Sequence, residues 1–192
     1  MKNKFLTSLL CLLSCVSLCS AAESNPKTWT ADQIGQGEFN LKPDQTFSYK
    51  VVDKLGKITE LKIHAFFPAE HKKTDRDAAI LFFHGGGWYG GTPDQFYPQC
   101  RYLALRGMVA FSAEYRCIKP FKTTPQECVK DGKSVMRWLR KNASELGFDA
   151  QRLAAGGGSA GGHIAAATAL SKGFEEDNDD KSISCIPNAL VL

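Results

Sequence analysis

Residues 152–163 read Arg152-Leu153-Ala154-Ala155-Gly156-Gly157-Gly158-Ser159-Ala160-Gly161-Gly162-His163, and this stretch decides the fold. The residues before the glycines are apolar enough for a buried strand. Ile164 to Leu170, after them, is a run of small residues that suits a helix. A serine flanked by glycines between a strand and a helix is a turn with a mechanism. Gly157 and Gly161 carry no Cβ, so the chain can bend sharply at Ser159 while strand and helix pack close. The bend raises the serine oxygen beside a helix N-terminus, where backbone N–H groups meet developing negative charge. A bare G-x-S-x-G string arises by chance in roughly one chain of this length in fifteen at average composition. It therefore needs a second motif beside it.

The second motif lies about 75 residues upstream. Ala79 to Phe83 is uniformly apolar, as a central strand buried on both faces should be. It runs directly into His84-Gly85-Gly86-Gly87-Trp88. Pro93 to Gly107 reads as a helix, and Met108 to Ala113 as another buried strand, closed by Glu114-Tyr115-Arg116. Thr124-Pro125-Gln126-Glu127 is a helix start with a capping box, and that helix is expected to run to Gly147. Upstream, Phe47–Val52 and Leu61–Phe67 alternate around the turn at Leu55-Gly56-Lys57 and predict an antiparallel hairpin. Ala189 to Leu192 begins a further buried strand. Strands alternating with helices imply a mostly parallel sheet covered on both faces, with the loops that carry chemistry at the carboxyl ends of its strands. Both motifs follow apolar strands, so they are expected at one rim.

The chain has 192 residues, is 43% hydrophobic and 23% charged, and carries a net charge of +4. This suits one globular domain with a sizeable core. It gives no support for nucleic-acid binding, since no basic stripe with interleaved aromatics occurs. Residues 1–22 are a different kind of sequence. Lys2 and Lys4 precede an apolar run from Phe5 to Leu18, and Ser20-Ala21-Ala22 offers a cleavage site. This is the pattern of a secretory signal peptide, too short for a transmembrane span. A lipoprotein signal ending at Cys15 is the rival. Residues 23–46 form an irregular lead-in, and residues 47–192 the N-terminal part of one domain. Of seven cysteines, Cys100, Cys117, Cys128 and Cys185 lie beyond the signal. Export would permit disulfides among them, and four buried free thiols are an equal alternative. No cysteine or histidine spacing matches a metal site, and no cofactor is expected.

On these residues the chain resembles the α/β-hydrolase superfamily. His84-Gly85-Gly86-Gly87-Trp88 resembles the glycine-rich oxyanion motif of its lipases and esterases, and Gly157-x-Ser159-x-Gly161 their nucleophile elbow. Glu114-Tyr115-Arg116 is similar to the segment ending the intervening strand in hormone-sensitive-lipase-like members. Trp88 and Gly162-His163 lean towards the acetylxylan- and feruloyl-esterase-like branch. The resemblance implies an α/β-hydrolase fold and a serine carboxylesterase without metal or cofactor. Ser159 would be the nucleophile, and the N–H groups of Gly86, Gly87 and Ala160 the oxyanion hole. His84 would support the glycine loop. An ester, free or carbohydrate-linked, is the implied substrate. The same residues also fit an amide-cleaving hydrolase, such as a peptidase or formamidase, or a non-catalytic scaffold on this fold.

Family order places the catalytic acid and histidine after the serine. There the only acids are Glu175, Glu176, Asp177, Asp179 and Asp180, in one polar loop expected to be solvated, and the only histidine is His163. Four residues from Ser159 on the same helix, His163 suits packing better than base catalysis. The acid and histidine are accordingly expected outside this chain, which would make it an inactive part of a longer protein. Asp149 suits a turn, Glu114 and Arg116 a structural pair, His64 an exposed strand face, and His71 a surface loop. Trp88 either lines an acyl pocket or packs.

Overall fold

The computed structural model describes residues 41–192. The expected signal segment, with Cys11, Cys15 and Cys19, lies outside the described residues. Six strands form one sheet: β1 (Gln45–Lys54), β2 (Lys57–Phe66), β3 (Asp77–Phe83), β4 (Val109–Ala113), β5 (Phe148–Gly157) and β6 (Ala189–Val191). Their spatial order is β1-β2-β4-β3-β5-β6. The β1–β2 hairpin and the β2–β4 pair are antiparallel, and β4, β3, β5 and β6 run parallel. The sequence expectation of a mostly parallel sheet with an N-terminal antiparallel hairpin thus holds.

Among the described residues there are four α-helices: α1 (Tyr97–Ala104), α2 (Ile118–Phe121), α3 (Pro125–Asn142) and α4 (Ala160–Leu170). Alternation along the strands sorts the core into two layers. On one face Ile80, Phe82 and Ala110 pack against Cys100 and Ala104 of α1. On the other, Leu81, Phe83, Phe111 and Leu153 meet Val135, Met136 and Leu139 of α3 and Ile164 and Ala165 of α4. β3 is buried from Ala79 to Phe83, as its unbroken apolar run requires. Thr124 caps α3 through the full capping box, with Glu127 Oε2 accepting from the Thr124 N–H at 2.9 Å.

Several boundaries differ from the sequence reading. The stretch from Pro93 is one 3₁₀ turn (Pro93–Phe96) followed by a short α-helix, because Pro98 interrupts the backbone N–H series. The α3 helix stops at Asn142, and a turn continues to Gly147 at φ +69°. The short α2 carried no periodic signal and was not foreseen. β6 pairs in parallel with β5, Ala154–Gly156 facing Ala189–Val191. Cys100, Cys117, Cys128 and Cys185 are free and buried, which decides against disulfides among them. Burial raises the Cys117 thiol to about 11 and that of Cys128 to about 12, so both stay protonated and inert at neutral pH.

Candidate active site

Register brings the two motifs together. Phe83 pairs with Ala113 on one side and Gly157 on the other. The strands β4, β3 and β5 therefore end level, and the loops after them share one rim. At that rim Ser159 has φ 53° and ψ −117° and is the residue on which α4 begins. A non-glycine residue at positive φ is strained, and such strain collects where a side chain must be presented in one direction. The turn also requires contact without side chains. A Cβ on Gly161 would lie 2.0 Å from the Phe83 carbonyl oxygen and 2.6 Å from that of His84. One on Gly157 would lie 2.5 Å from the same Phe83 oxygen. The first turn of α4 thus rests directly on the start of the glycine loop.

The loop is braced from below by His84. The ring is buried, and burial lowers its pKa, so it is neutral at physiological pH. Its Nδ1–H donates to the Gly85 carbonyl at 2.8 Å, and the ring stacks on Tyr115 at 4.2 Å. The Tyr115 hydroxyl donates to the His84 carbonyl at 2.7 Å. The Gly85 N–H donates to Gln95 Oε1 at 2.5 Å. Gly86 has φ +123°, and a Cβ there would fall 2.0 Å from the Gly90 carbonyl oxygen. Among the described residues, the N–H groups of Gly86, Gly87 and Ala160 have no hydrogen-bond acceptor, in contrast to that of Gly85. Such donors on a fixed loop and a helix N-terminus are suited to an oxyanion.

Trp88, at φ 60°, is half-buried and packed against the core. Its ring meets His163 edge to face at 5.2 Å, and its carbonyl accepts from the Ile118 N–H at 2.8 Å. The α2 turn therefore holds the far end of the glycine loop, a support the sequence did not announce. His163 also lines a cavity of about 240 Å³ with Val129, Ala167 and Phe174. Among the described residues, neither a histidine nor a carboxylate is hydrogen-bonded to the Ser159 hydroxyl. Asp149 lies at the start of β5 and accepts from the Gln151 N–H at 2.8 Å, as expected of a turn.

The acidic loop corrects the sequence reading. Glu175, Glu176 and Asp179 are not solvated but docked on α3 and its surroundings. Asp131, fully buried in α3, pairs with Lys50 at 2.6 Å and with Arg116 at 2.8 Å. Glu176 joins both cations, reaching Lys50 at 2.8 Å. Lys133 and Arg137 hold Glu175 at 2.8 and 2.6 Å, and Arg137 also holds Asp179 at 3.0 Å. Burial opposes ionisation of Glu175 and Glu176, but these cations outweigh it and keep both carboxyls below their ordinary value. Glu114 and Arg116 are not a pair: Glu114 accepts from the Lys62 N–H at 2.9 Å, whereas Arg116 serves Asp131. His64 is half-buried against Tyr97 rather than fully solvated. His71 is half-buried, with its side chain only 9% exposed, rather than a solvated loop residue. Lys50, Lys133 and Arg137 were invisible as site neighbours because their partners lie 42–126 residues away in sequence.

Comparison with known proteins agrees with this architecture. The family model described as BD-FAE matches residues 64–187. Carboxylesterase NlhH of Mycobacterium tuberculosis is 33% identical over 130 residues, covering 67% of this chain and 39% of that protein. Esterase 2 of Thermogutta terrifontis in its apo form superposes with a TM-score of 0.73 at 46% identity, covering 76% of this chain and 53% of that one. The same esterase phosphorylated by paraoxon superposes equally well, at 45% identity over 76% of this chain and 55% of that one. The chain spans about two fifths to about half the length of these relatives. The shared fold is that of the α/β-hydrolase esterases.

Proposed function

The chain belongs to the BD-FAE family, and from that premise we propose that the whole protein is a carboxylic ester hydrolase acting through an acyl-enzyme at Ser159. The observation that carries the proposal is the seat of the Ser159 turn on the glycine loop. There Gly161 leaves room for the Phe83 carbonyl oxygen and nothing larger. Ser159 Oγ attacks the ester carbonyl, its proton passing to a base, and the carbonyl oxygen becomes an oxyanion. The Ala160 N–H and those of Gly86 and Gly87 receive that charge. The tetrahedral intermediate collapses, expelling the alcohol with a proton, and water then releases the acid and restores Ser159. Each preorganised donor contributes about 3 kcal/mol to the barrier reduction.

Residues 41–192 bring no base to the Ser159 hydroxyl. We therefore expect residues 23–192 expressed alone to lack ester turnover. Loss of a triad histidine costs on the order of 10⁶ in kcat in a subtilisin example. Ordinary turnover from that piece, abolished by His163→Ala, would overturn this expectation. Acetyl or feruloyl esters on plant polysaccharide are the proposed natural substrates, supported by the Trp88 and Gly162-His163 features. Export through residues 1–22 fits a polymer substrate outside the cell.

The test is covalent labelling of the intact protein with paraoxon, read by mass spectrometry. One diethylphosphoryl adduct on the peptide containing Ser159, absent in Ser159→Ala with an unchanged circular dichroism spectrum, is the expected result. An adduct elsewhere, or none, refutes the assignment. A panel of acetylated xylan, feruloyl esters and p-nitrophenyl amides then separates ester from amide chemistry.

A further inference from the structure

His71, Asp75 and Asp77 converge at the opposite end of β3 from the candidate active site. β3 begins at Asp77 and ends at Phe83. At about 3.3 Å per residue the two ends are about 20 Å apart. The His71 side chain is nine-tenths buried, stacked on Phe67 at 4.9 Å and lying over Gly147, where a Cβ would come within 2.5 Å of Nε2. Its Nε2–H donates to the Leu146 carbonyl at 2.9 Å. That bond orients the ring so that Nδ1 faces two carboxylates: Asp77 Oδ2 at 3.0 Å and Asp75 Oδ2 at 3.6 Å. The three ligand atoms all lie within 4.8 Å of one another.

His71 Nδ1 and one oxygen from each of Asp75 and Asp77 thus offer one nitrogen and two oxygen donors around a common point. We propose that His71 Nδ1, Asp75 and Asp77 bind a divalent transition-metal ion, zinc foremost. Spacing supports this. Zinc bonds to nitrogen and oxygen are about 2.05 Å, so the edges of a tetrahedral site are about 3.3 Å. The 3.0 and 3.6 Å separations bracket that value, and the third edge, between the two carboxylates, is within 4.8 Å. Chemistry supports it too. An imidazole nitrogen with two carboxylates suits zinc better than calcium or magnesium, which take oxygen ligands. The outer contacts are those of a metal-binding histidine and carboxylate: His71 donates to a backbone carbonyl, and Asp75 Oδ2 accepts from the Lys72 N–H at 2.8 Å. The Asp75 and Asp77 side chains are 37% and 29% exposed, which leaves water a fourth position. The ion would tie the 68–76 connection to the first residue of β3, beside the turn that His71 reaches through Leu146, and its role is structural. The sequence reading found no metal because these ligands have no familiar spacing and the fixing carbonyl lies 75 residues from His71.

The test is titration of the chelator-stripped intact protein with zinc chloride against a competing indicator, alongside thermal melts with and without zinc. Expected are one saturable site and a melting temperature raised by zinc. His71→Gln should weaken binding at least about tenfold and abolish the zinc-induced shift. Asp75→Asn, at a more exposed position, should do the same if His71→Gln folds poorly. Cobalt binding should give a visible absorption band that zinc displaces. Absent saturable binding, equal affinity in both variants, or preference for calcium overturns the proposal. The cluster is then the His71–Asp77 hydrogen bond and nothing more. Paraoxon labelling at Ser159 should proceed at the same rate with and without zinc, so this test and that of the esterase reading fail separately.

Discussion

Gly161→Ala probes the contact on which the candidate active site is built. The new Cβ would lie 2.0 Å from the Phe83 carbonyl oxygen and 2.6 Å from the His84 carbonyl oxygen, both backbone atoms that cannot swing away. Real Cβ contacts are essentially never shorter than 3.0 Å, so the first turn of α4 and the end of β3 must separate by about 1 Å. Inserting a methyl group against a rigid wall costs about 1–3 kcal/mol, offset by up to about 1 kcal/mol of helix propensity gained over glycine. The net loss of stability is therefore modest, about 1–2 kcal/mol. The effect on reactivity is larger. Ala160 precedes the substituted residue, and its N–H would move by a comparable distance from the oxyanion position. Displacement of that order costs about 10²-fold, similar to removing one oxyanion donor. The assay is the second-order rate of paraoxon labelling of the intact protein, with urea unfolding alongside. Gly162→Ala is the control, since its Cβ would stand 3.1 Å from the Gly157 carbonyl oxygen, a contact relieved by a few tenths of an ångström. Gly161→Ala should label about 10²-fold more slowly than Gly162→Ala while both remain folded. Equal rates in the two variants would show that the close packing of α4 on Phe83 does not position the oxyanion donors.

Asp131→Ala strips the shared anion from Lys50 and Arg116 in a fully buried position, and should cost about 3–5 kcal/mol in urea unfolding; a loss below 1 kcal/mol would mean that Glu176 alone satisfies both cations. The Glu175 and Glu176 carboxyls have folded pKa values below their ordinary 4.5. Their contribution is therefore complete above that value and is lost as pH falls through the folded values. Urea midpoints should decline below about pH 4.5, and a Glu175→Gln, Glu176→Gln double variant should show a shallower acid decline. Mass spectrometry of exported protein should find an N-terminus near Glu23; retention of Met1, or a lipid on Cys15, would contradict cleavage after Ala22.

Much of the fold was legible because its signals are local. Ala79–Phe83 is buried on both faces and reads as an unbroken apolar run. The Thr124–Glu127 capping box fixes the start of α3 within four residues. Ser159 and its flanking glycines declare a tight turn, and the structure places that turn against the glycine loop after His84. Errors fell where a partner is remote. The acidic residues 175–180 look solvated in a linear reading, since each is polar and none is periodic. Lys50, Arg116, Lys133 and Arg137 come to them only once β1, the end of β4 and α3 have assembled around the loop. His71 was misread for the same reason: its neighbours in sequence are charged, but its ring rests on Phe67 and Gly147.

Sequence alone determined the tight turn at Ser159, because such a turn needs particular residue types at fixed local spacing, and backbone sterics enforce that spacing wherever the motif occurs. It also determined the class of fold, through the period of its apolar residues. Tertiary structure decided which charges are paired, which histidines are buried, and that Phe83, Ala113 and Gly157 end at one level. Those outcomes depend on register and on contacts spanning tens of residues. A buried ion pair stands only when the cost of removing both charges from water is met by partners in correct geometry, and no stretch of sequence carries both halves of that geometry.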